Sequence, residues 1–248
     1  MFETQYNEEM EAEVKRLEAE KAAQGKRTLK ITVIIGSPRG MKGNTGRLLK
    51  EVMAGVEEGA EIELFDLSAI GVTPCSGCEQ CHKTGICNIK DDYQIIKESL
   101  LNSDAFILAS PNYIFSVPAQ LKALFDRSGN IVHCLKLEGK YAAVVETSGG
   151  GEDDEVIRYM VRFINSTGAQ SVGSIASQGG AENAFPKQEL LFENARKLGK
   201  ELCRCVREKE RFPDQAGYRG AFKARMKRLV EYRKDDWTEE YKYLQEHN

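Results

Sequence analysis

The feature that most constrains the fold of this chain is an alternation of short apolar strands with helical segments. Runs rich in β-branched and other apolar residues predict five strands, at residues 29–35, 62–67, 104–110, 141–146 and 171–176. The segments between most of them carry apolar residues at helical spacing. Such an alternation predicts an α/β fold with a parallel sheet covered on both faces. We expect a doubly wound, five-stranded sheet with strand order 2-1-3-4-5.

The composition and spacing of apolar residues divide the chain into three regions. Residues 1–28 are predicted to form a helical extension, because apolar residues recur at helical spacing among charged ones between residues 5 and 25. Residues 29–210 contain the sheet and a cysteine-rich loop at 74–92. Residues 211–248 are charged and are expected to form one or two amphipathic helices, with the single tryptophan, Trp237, at a packing contact.

Charge and hydropathy limit the classes of partner. The 248 residues include 35 basic and 38 acidic side chains, a balance that gives no indication of nucleic acid or of an anionic membrane. No apolar run approaches the roughly eighteen residues of a membrane helix, and the N-terminus lacks the apolar core of a secretory signal. We therefore expect a cytoplasmic protein whose partners are small molecules or other proteins.

A polar loop follows the first strand and precedes a helix. A loop at this position can bind phosphate, since the amides of a first helical turn lack partners and the helix dipole favours an anion. The loop matches neither the dinucleotide nor the Walker fingerprint, so a terminal monophosphate suits it better. The alternative is a plain turn in which Asn44 or Thr45 caps the helix. The candidate phosphate-binding residues are Ser37, Arg39, Gly43, Asn44 and Thr45.

Two further loops follow strands three and four, and the predicted strand order brings both to the same crevice as the first loop. The loop after strand three carries three large side chains between two prolines, which suggests a flat apolar ligand; the alternative is that Phe115 packs beneath the next helix. The glycines after strand four allow close approach of a ligand, or form a hinge. The candidate binding residues are Pro111, Asn112, Tyr113, Ile114, Phe115, Thr147, Ser148, Gly149 and Gly150.

Four cysteines lie within thirteen residues, spaced Cys-x2-Cys-x2-Cys-x5-Cys. Thiolates so close in sequence can converge on one metal centre, and this compact run favours a 4Fe-4S cluster over a zinc site. Metal-free thiols, zinc and disulfides remain alternatives. Cys134, Cys203 and Cys205 are interpreted as packing residues, and His82 as a surface residue. The candidate metal ligands are Cys75, Cys78, Cys81 and Cys87.

Together, the first loop, the segment from Ser110 to Tyr113 and the cysteine run resemble the iron-sulfur flavoproteins of the NADPH-dependent FMN reductase group, which have a flavodoxin-like fold. The resemblance covers residues 29–206. It implies that the first loop binds the FMN phosphate, that the other two loops flank the isoalloxazine ring, and that the cysteines hold a 4Fe-4S cluster. It also implies that the cluster lies near the flavin of a neighbouring subunit, in a homodimer or homotetramer.

The leading functional hypothesis is a flavin-dependent oxidoreductase that passes electrons between FMN and the cluster, with ferredoxin or NAD(P)H as the donor. No catalytic side chain is expected, because the cofactors carry the chemistry and the three histidines are too scattered to form a triad. One alternative is an NAD(P)H-dependent FMN or quinone reductase without a cluster. The other is a non-catalytic electron carrier or redox sensor.

Overall fold

The computed structural model describes residues 15–16, 27–179 and 184–247. Its centre is one sheet of five parallel strands in the order β2-β1-β3-β4-β5, which confirms the predicted topology. The helix predicted between residues 5 and 25 falls outside the described residues, apart from residues 15 and 16. The strands are β1 (Lys30–Ile35), β2 (Glu61–Asp66), β3 (Ala105–Pro111), β4 (Tyr141–Ser148) and β5 (Gln170–Gln178).

The central strands are continuous apolar runs because helices cover both of their faces. Every residue of β3 and β4 is buried, as are the last five residues of β1. The helices are α1 (Asn44–Ala54), α2 (Gln80–Thr84), α3 (Tyr93–Asn102), α4 (Ala119–Arg127), α5 (Gly129–His133), α6 (Asp153–Ser166), α7 (Gln188–Glu208), α8 (Pro213–Tyr232) and α9 (Thr238–Glu246).

Two cores form because successive side chains of a strand point to opposite faces. Alternate residues of β1, β3 and β4 pack against α1 and α7 on one face, and the residues between them pack against α3, α4 and α6 on the other. Helices α1 and α7 approach closely at Gly55 and Gly199, where an added Cβ would lie 2.0 Å from a backbone oxygen of the opposite helix. Glycine is therefore required at this crossing.

Some strand boundaries differ from those predicted. Strand β4 extends two residues further than predicted, so Thr147 and Ser148 belong to the strand and not to the loop after it. The reason is that the ladder with β5 continues through both of them, paired with Ser177 and Gln178.

The region after residue 210 forms two helices, as predicted. Helix α8 begins with Pro213, whose fixed φ suits a first helical turn, and packs against α6. Helix α9 packs against α2, and α2 is the short helix within the cysteine-rich loop. Trp237, just before α9, is 6% exposed and lies at a packing contact, as predicted. Among the helices that the structure describes, none combines the length and hydropathy needed to cross a membrane.

Candidate functional site

The loops after β1, β3 and β4 meet at the carboxyl edge of the sheet, in what we call the strand-end crevice (residues 36–45, 112–118 and 149–152). The hydroxyl groups of Thr45 and Thr147 are 2.6 Å apart and share a hydrogen bond. The backbone amide of Asn112 donates to the Thr147 carbonyl oxygen at 2.8 Å, and its side-chain Nδ2 donates to the Gly151 carbonyl oxygen at 3.1 Å. The sheet therefore unites the three predicted loops at one place.

The first loop turns sharply before α1 begins. Gly40 has a φ of +51°, and a Cβ at this position would lie 2.1 Å from Asp66 Oδ2. The same Asp66 oxygen accepts a hydrogen bond from the amide of Met41 at 3.1 Å. Both the backbone conformation and the space therefore require glycine, and the end of β2 fixes the shape of the loop.

The N-terminus of α1 is not capped by a side chain. Its N-cap is Gly43, and Asn44 and Thr45 lie within the helix, so the alternative in which either one caps it is wrong. The Asn44 Oδ1 atom is buried and has no hydrogen-bond partner among the described residues. An uncapped first turn and a buried acceptor without a donor both fit a polar ligand at this point.

Ser37 and Arg39 lie beside this helix start. Ser37 is buried, and its Oγ accepts a hydrogen bond from the Arg39 amide at 3.2 Å. The Arg39 side chain belongs to an exposed residue. The loop thus offers a buried hydroxyl, free first-turn amides and an exposed guanidinium, which are donors suited to an anion.

The loop after β3 closes in a tight, strained turn. The backbones of Tyr113 and Ser116 bond to each other in both directions, at 2.8 and 3.2 Å, across Ile114 and Phe115. Both central residues have left-handed φ values, +50° and +62°, which is uncommon for aromatic residues and unfavourable for a β-branched one. Ile114 is 89% and Phe115 63% exposed, so Phe115 does not pack beneath the next helix and that alternative is wrong.

The loop after β4 is open. A Cβ added to Gly149 or Gly150 would meet no atom of the described residues within 4 Å, and Gly151 has a φ of +123°. Its amide donates to Ser148 Oγ at 3.3 Å. The glycines therefore leave room above the crevice, which suits close approach of a ligand to the backbone.

Sequence reasoning missed a buried carboxyl pair behind this loop. Glu146 is fully buried in β4, and its carboxyl lies within hydrogen-bonding reach of the Asp153 carboxyl at the start of α6; among the described residues, no other group bonds to either Glu146 oxygen or to Asp153 Oδ1. Burial and the nearby Asp153 raise the pKa of Glu146 to about 8. The signal that could have revealed it is a glutamate inside an otherwise apolar strand.

The second candidate site is the cysteine loop (residues 74–92), which follows β2. All four predicted ligands line one cavity of about 230 Å³. All seven cysteines of the chain are free, which contradicts the disulfide alternative. Cys203 and Cys205 are buried, as predicted for packing residues, whereas Cys134 is only partly buried. The structure thus brings Cys75, Cys78, Cys81 and Cys87 together around a shared space.

Hydrogen bonds reach several of these sulfurs. The Gly77 amide donates to Cys75 Sγ at 3.4 Å. Hydrogen bonding from the Gln80 backbone and the Ser76 side chain lowers the pKa of the Cys78 thiol. Arg127 Nη2 donates to Cys87 Sγ at 3.2 Å. Such contacts favour thiolates, the form in which cysteine binds metal.

Two aspartates close the ends of the cysteine loop. Asp92 Oδ2 accepts from the Gly71 amide at 2.8 Å, and Asp91 Oδ2 accepts from the Thr73 amide at 2.7 Å. Asp91 Oδ1 also accepts from the Tyr93 amide at the start of α3. The carboxylates therefore join the chain entering the loop to the helix that leaves it.

A polar and aromatic cluster lies beneath the loop and was not predicted. His82 is not a surface residue, because its side chain is 12% exposed; its Nδ1 lies 2.6 Å from Oε1 of the fully buried Glu240. His133 Nδ1 lies 3.1 Å from the other oxygen of Glu240. Both imidazole rings stack on Trp237, with centroids 4.4 and 4.9 Å away.

These two histidines are therefore less scattered than their sequence positions indicate. With Glu240 they offer three potential metal-ligating atoms within 4.8 Å of one another. However, the Glu240 carboxylate also accepts from Asn130 Nδ2 at 3.3 Å. Hydrogen bonds from three side chains account for this buried carboxylate, so we interpret the cluster as a support for the loop.

A buried lysine adds a second support. Lys97, in α3, donates from Nζ to the Gly85 carbonyl oxygen in the loop and to Asn130 Oδ1. Burial lowers the pKa of Lys97. Further contacts come from the end of the chain, where Arg233 Nη2 donates to Glu79 Oε2 at 2.8 Å and Thr238 Oγ1 donates to the Lys83 carbonyl oxygen at 3.1 Å.

Comparison with known proteins gives consistent results. Residues 29–181 match the family model described as NADPH-dependent FMN reductase. An iron-sulfur flavoprotein of Archaeoglobus fulgidus is 33% identical over 185 residues, covering 74% of this chain and 83% of the relative. An iron-sulfur flavoprotein of Methanocaldococcus jannaschii is 34% identical over 190 residues, covering 72% of this chain and 98% of the relative.

Solved structures share the fold. An NAD(P)H:quinone oxidoreductase from Methanothermobacter marburgensis superposes with a TM-score of 0.55, at 18% sequence identity, over 71% of this chain and 96% of that one. At this level of identity the similarity concerns the architecture alone. It supports the flavodoxin-like arrangement predicted from the sequence.

Proposed function

We propose, from the chain's membership of the NADPH-dependent FMN reductase family and, within it, of the iron-sulfur flavoproteins, that it transfers electrons between two cofactors. One is FMN in the strand-end crevice, and the other is a 4Fe-4S cluster in the cysteine loop. The membership makes it a flavin-dependent oxidoreductase. The observation that carries the finer proposal is that four free cysteines line one cavity in a chain that also presents an uncapped helix start at its sheet edge.

The donors of the first loop suit the FMN phosphate. We assign the phosphate to the first-turn amides of α1 with Ser37, Arg39, Gly43, Asn44 and Thr45. Asn44 Oδ1, buried without a donor among the described residues, suits a hydroxyl group of the ligand. The two remaining loops would flank the ring: Tyr113 through Phe115 supply exposed apolar and aromatic surface, and Gly149 and Gly150 supply open backbone, next to Thr147 and Ser148 at the end of β4.

The cysteine loop suits a cluster in both ligand type and shape. Four thiols around a shared cavity match the ligand set of a 4Fe-4S centre. We propose that the helices after residue 211 serve this loop, because Glu240, Thr238 and Arg233 all contact it or the residues that support it. A zinc site would use the same thiols, so metal analysis must separate the two.

The two cofactors supply the chemistry when bound: FMN exchanges electrons singly or in pairs, and the cluster exchanges them one at a time. The chain's own residues bind and orient both groups. The proposed external donor is NAD(P)H, which delivers two electrons, or ferredoxin, which delivers one. No side chain is assigned the role of nucleophile or general base.

We further propose that the working form is a homodimer or homotetramer in which the crevice of one subunit faces the cysteine loop of another. The exposed side chains of Tyr113, Ile114 and Phe115 support this, since they form an apolar projection beside the crevice. Light scattering on the purified protein tests the assembly: a monomer at micromolar concentration would contradict it.

The main test is the metal content and absorption spectrum of anaerobically purified protein. We expect about four irons and four sulfides per chain with bound FMN, and we expect Cys81→Ser to lose the iron and keep the FMN. Cys134→Ser, a thiol outside the cavity, is the matched control and should keep both. Zinc, or no metal, in the wild-type protein would leave a flavin reductase without a cluster as the function.

Reduction of the same sample identifies the donor. Rapid bleaching of the flavin by NADPH would indicate a pyridine nucleotide donor. Slow bleaching by NADPH with rapid reduction by reduced ferredoxin would indicate ferredoxin. A protein that exchanges electrons with ferredoxin and turns over with no pyridine nucleotide or quinone would be a carrier or redox sensor.

A further inference from the structure

We propose that Arg127 is a positioning residue for the cluster, and that its hydrogen bond to the Cys87 sulfur raises the cluster's reduction potential. The inference rests on the proposed 4Fe-4S site. Arg127 is the last residue of α4, a helix of the sheet core, and it lies forty residues beyond Cys87 in the sequence. The contact therefore links the exposed loop to the rigid core.

The guanidinium of Arg127 is surrounded by acceptors from both ends of the cysteine loop. Nη2 donates to Cys87 Sγ at 3.2 Å and to the Ile89 carbonyl oxygen at 3.3 Å. Nη1 donates to the Thr73 carbonyl oxygen at 3.2 Å and to the Asp91 carboxylate. A planar guanidinium can satisfy four acceptors at once because its donors have a fixed fork geometry.

The position of this guanidinium is fixed. Arg127 is 2% exposed, and its guanidinium lies over the ring of Tyr93, with 4.4 Å between Cζ and the ring centroid. The Tyr93 hydroxyl in turn donates to the Arg127 carbonyl oxygen at 2.7 Å. Packing therefore holds the buried guanidinium in one orientation, so the fold itself directs it toward the Cys87 sulfur.

The expected effect on the cluster follows from charge. A cluster on four thiolates is anionic, and one-electron reduction adds further negative charge to its sulfurs. Hydrogen bonds to the sulfurs and nearby positive charge stabilise the reduced form more than the oxidised form, and both are known determinants of potential. Arg127 supplies both through one side chain, so it favours acceptance of the electron.

A purely structural role would predict something different. If Arg127 only joined Thr73, Ile89 and Asp91, its replacement would reduce iron retention and would leave the potential of any remaining cluster unchanged. The test must therefore measure the potential and the sulfur contact directly, in addition to the iron content.

The first measurement uses wild-type protein, so that no variant has to fold. The cluster is reduced by one electron in protein labelled with ¹⁵N-arginine, and pulsed electron paramagnetic resonance is used to detect coupling between the cluster spin and arginine nitrogen. We expect a ¹⁵N coupling. Its absence from an iron-loaded sample would overturn the inference.

The second measurement is an electron paramagnetic resonance redox titration of Arg127→Lys, which keeps the charge and loses the fork. We expect the equilibrium constant for one-electron reduction to fall at least tenfold, a downward shift of about 59 mV. Lys122→Met is the matched control, because it removes an exposed cation from the same helix, and it should leave the potential unchanged.

The outcomes separate the inference from the proposed function. An unchanged potential in an iron-loaded Arg127→Lys variant would overturn the inference and leave the cluster in place. Failure of the wild-type chain to bind iron and sulfide would overturn the cluster and the inference together. If Arg127→Lys loses its iron, the ¹⁵N coupling in the wild-type protein decides.

Discussion

The strand-end crevice and the cysteine loop are assembled in different ways. Each segment of the crevice follows directly from a strand, so the parallel sheet alone brings the segments together, and backbone bonds such as that from Asn112 to Thr147 connect them. The cysteine loop contains no strand and one helix of five residues. Its position depends on side chains that come from α3, α4, α5 and α9.

The two regions also differ in how their buried polar groups are satisfied. In and behind the crevice, the buried Asn44 Oδ1 atom has no hydrogen-bond partner among the described residues, and the buried Glu146 carboxyl bonds only to the Asp153 carboxyl within that part of the chain. Beneath the cysteine loop, Glu240 accepts from three side chains, and Lys97 donates to two acceptors. The comparison teaches that the sheet topology alone positions the crevice and leaves a buried acceptor at the start of α1. Side-chain hydrogen bonds hold the cysteine loop instead, and the buried atoms left without a described partner there are the donors Arg127 Nε and Trp237 Nε1.

The largest expected effect comes from removing the centre of that network. Glu240→Ala leaves two histidines and Asn130 without their buried acceptor, and loss of one partner of a buried charged pair typically costs about 3 kcal/mol or more. We expect a loss of this size in the free energy of unfolding, measured by denaturant titration, and a marked loss of bound iron. FMN content should stay near that of the wild-type protein, because the crevice does not depend on α9.

The matched control is Glu246→Ala, an exposed glutamate of the same helix whose only described ion pair, with Lys242, spans 3.8 Å. It should change the stability by less than about 0.5 kcal/mol. If Glu240→Ala loses FMN and iron equally, the two regions are not independent and the comparison fails.

The second expected effect is a pH dependence of the free energy of unfolding, caused by Glu146 behind the crevice. The Glu146 carboxyl has a pKa of about 8 in the folded protein and an ordinary value of 4.5. Between these values the folded state binds the extra proton, so raising the pH through this window lowers the free energy of unfolding by up to about 1.4 kcal/mol per unit. We expect Glu146→Gln to remove this loss, because an amide does not ionise, and to be more stable than the wild-type protein at pH 8.

Denaturant titrations between pH 5 and pH 8.5 test this prediction. The control is Glu155→Gln, an exposed residue of α6, which should follow the pH profile of the wild-type protein. Parallel profiles for Glu146→Gln and the wild-type protein would show that the buried carboxyl does not titrate in this range.

The same contrast explains which features could be predicted from the sequence. Strand order and the meeting of three loops follow from local patterns, because alternating strands and helices specify a parallel sheet and each loop is adjacent to its strand. The grouping of the cysteines was predictable because they are close in sequence. These predictions need no knowledge of long-range side-chain contacts.

The remaining features depend on such contacts. His82, inside the cysteine loop, was interpreted as a surface residue, and nothing local indicates that Trp237 and Glu240, more than 150 residues later, cover it. Arg127 likewise lies in an ordinary amphipathic helix.

The smallest expected effect comes from relieving backbone strain in the turn between Tyr113 and Ser116, beside the crevice. Ile114 has a φ of +50° and is 89% exposed, so Ile114→Gly removes backbone strain and sacrifices little packing. Strain of roughly 1–3 kcal/mol exceeds the entropic cost of glycine, about 0.5–1 kcal/mol, so we expect the free energy of unfolding to rise by about 1 kcal/mol. The control is Ile86→Gly in the cysteine loop, where the isoleucine is 58% exposed and has no positive φ; its free energy of unfolding should fall by up to about 1 kcal/mol.

A more flexible turn must also be ordered when FMN binds, so the FMN Kd of Ile114→Gly should rise roughly fivefold, which corresponds to about 1 kcal/mol. A rise in stability with unchanged FMN affinity would mean that the turn does not contact the flavin, and its strain would then need another explanation.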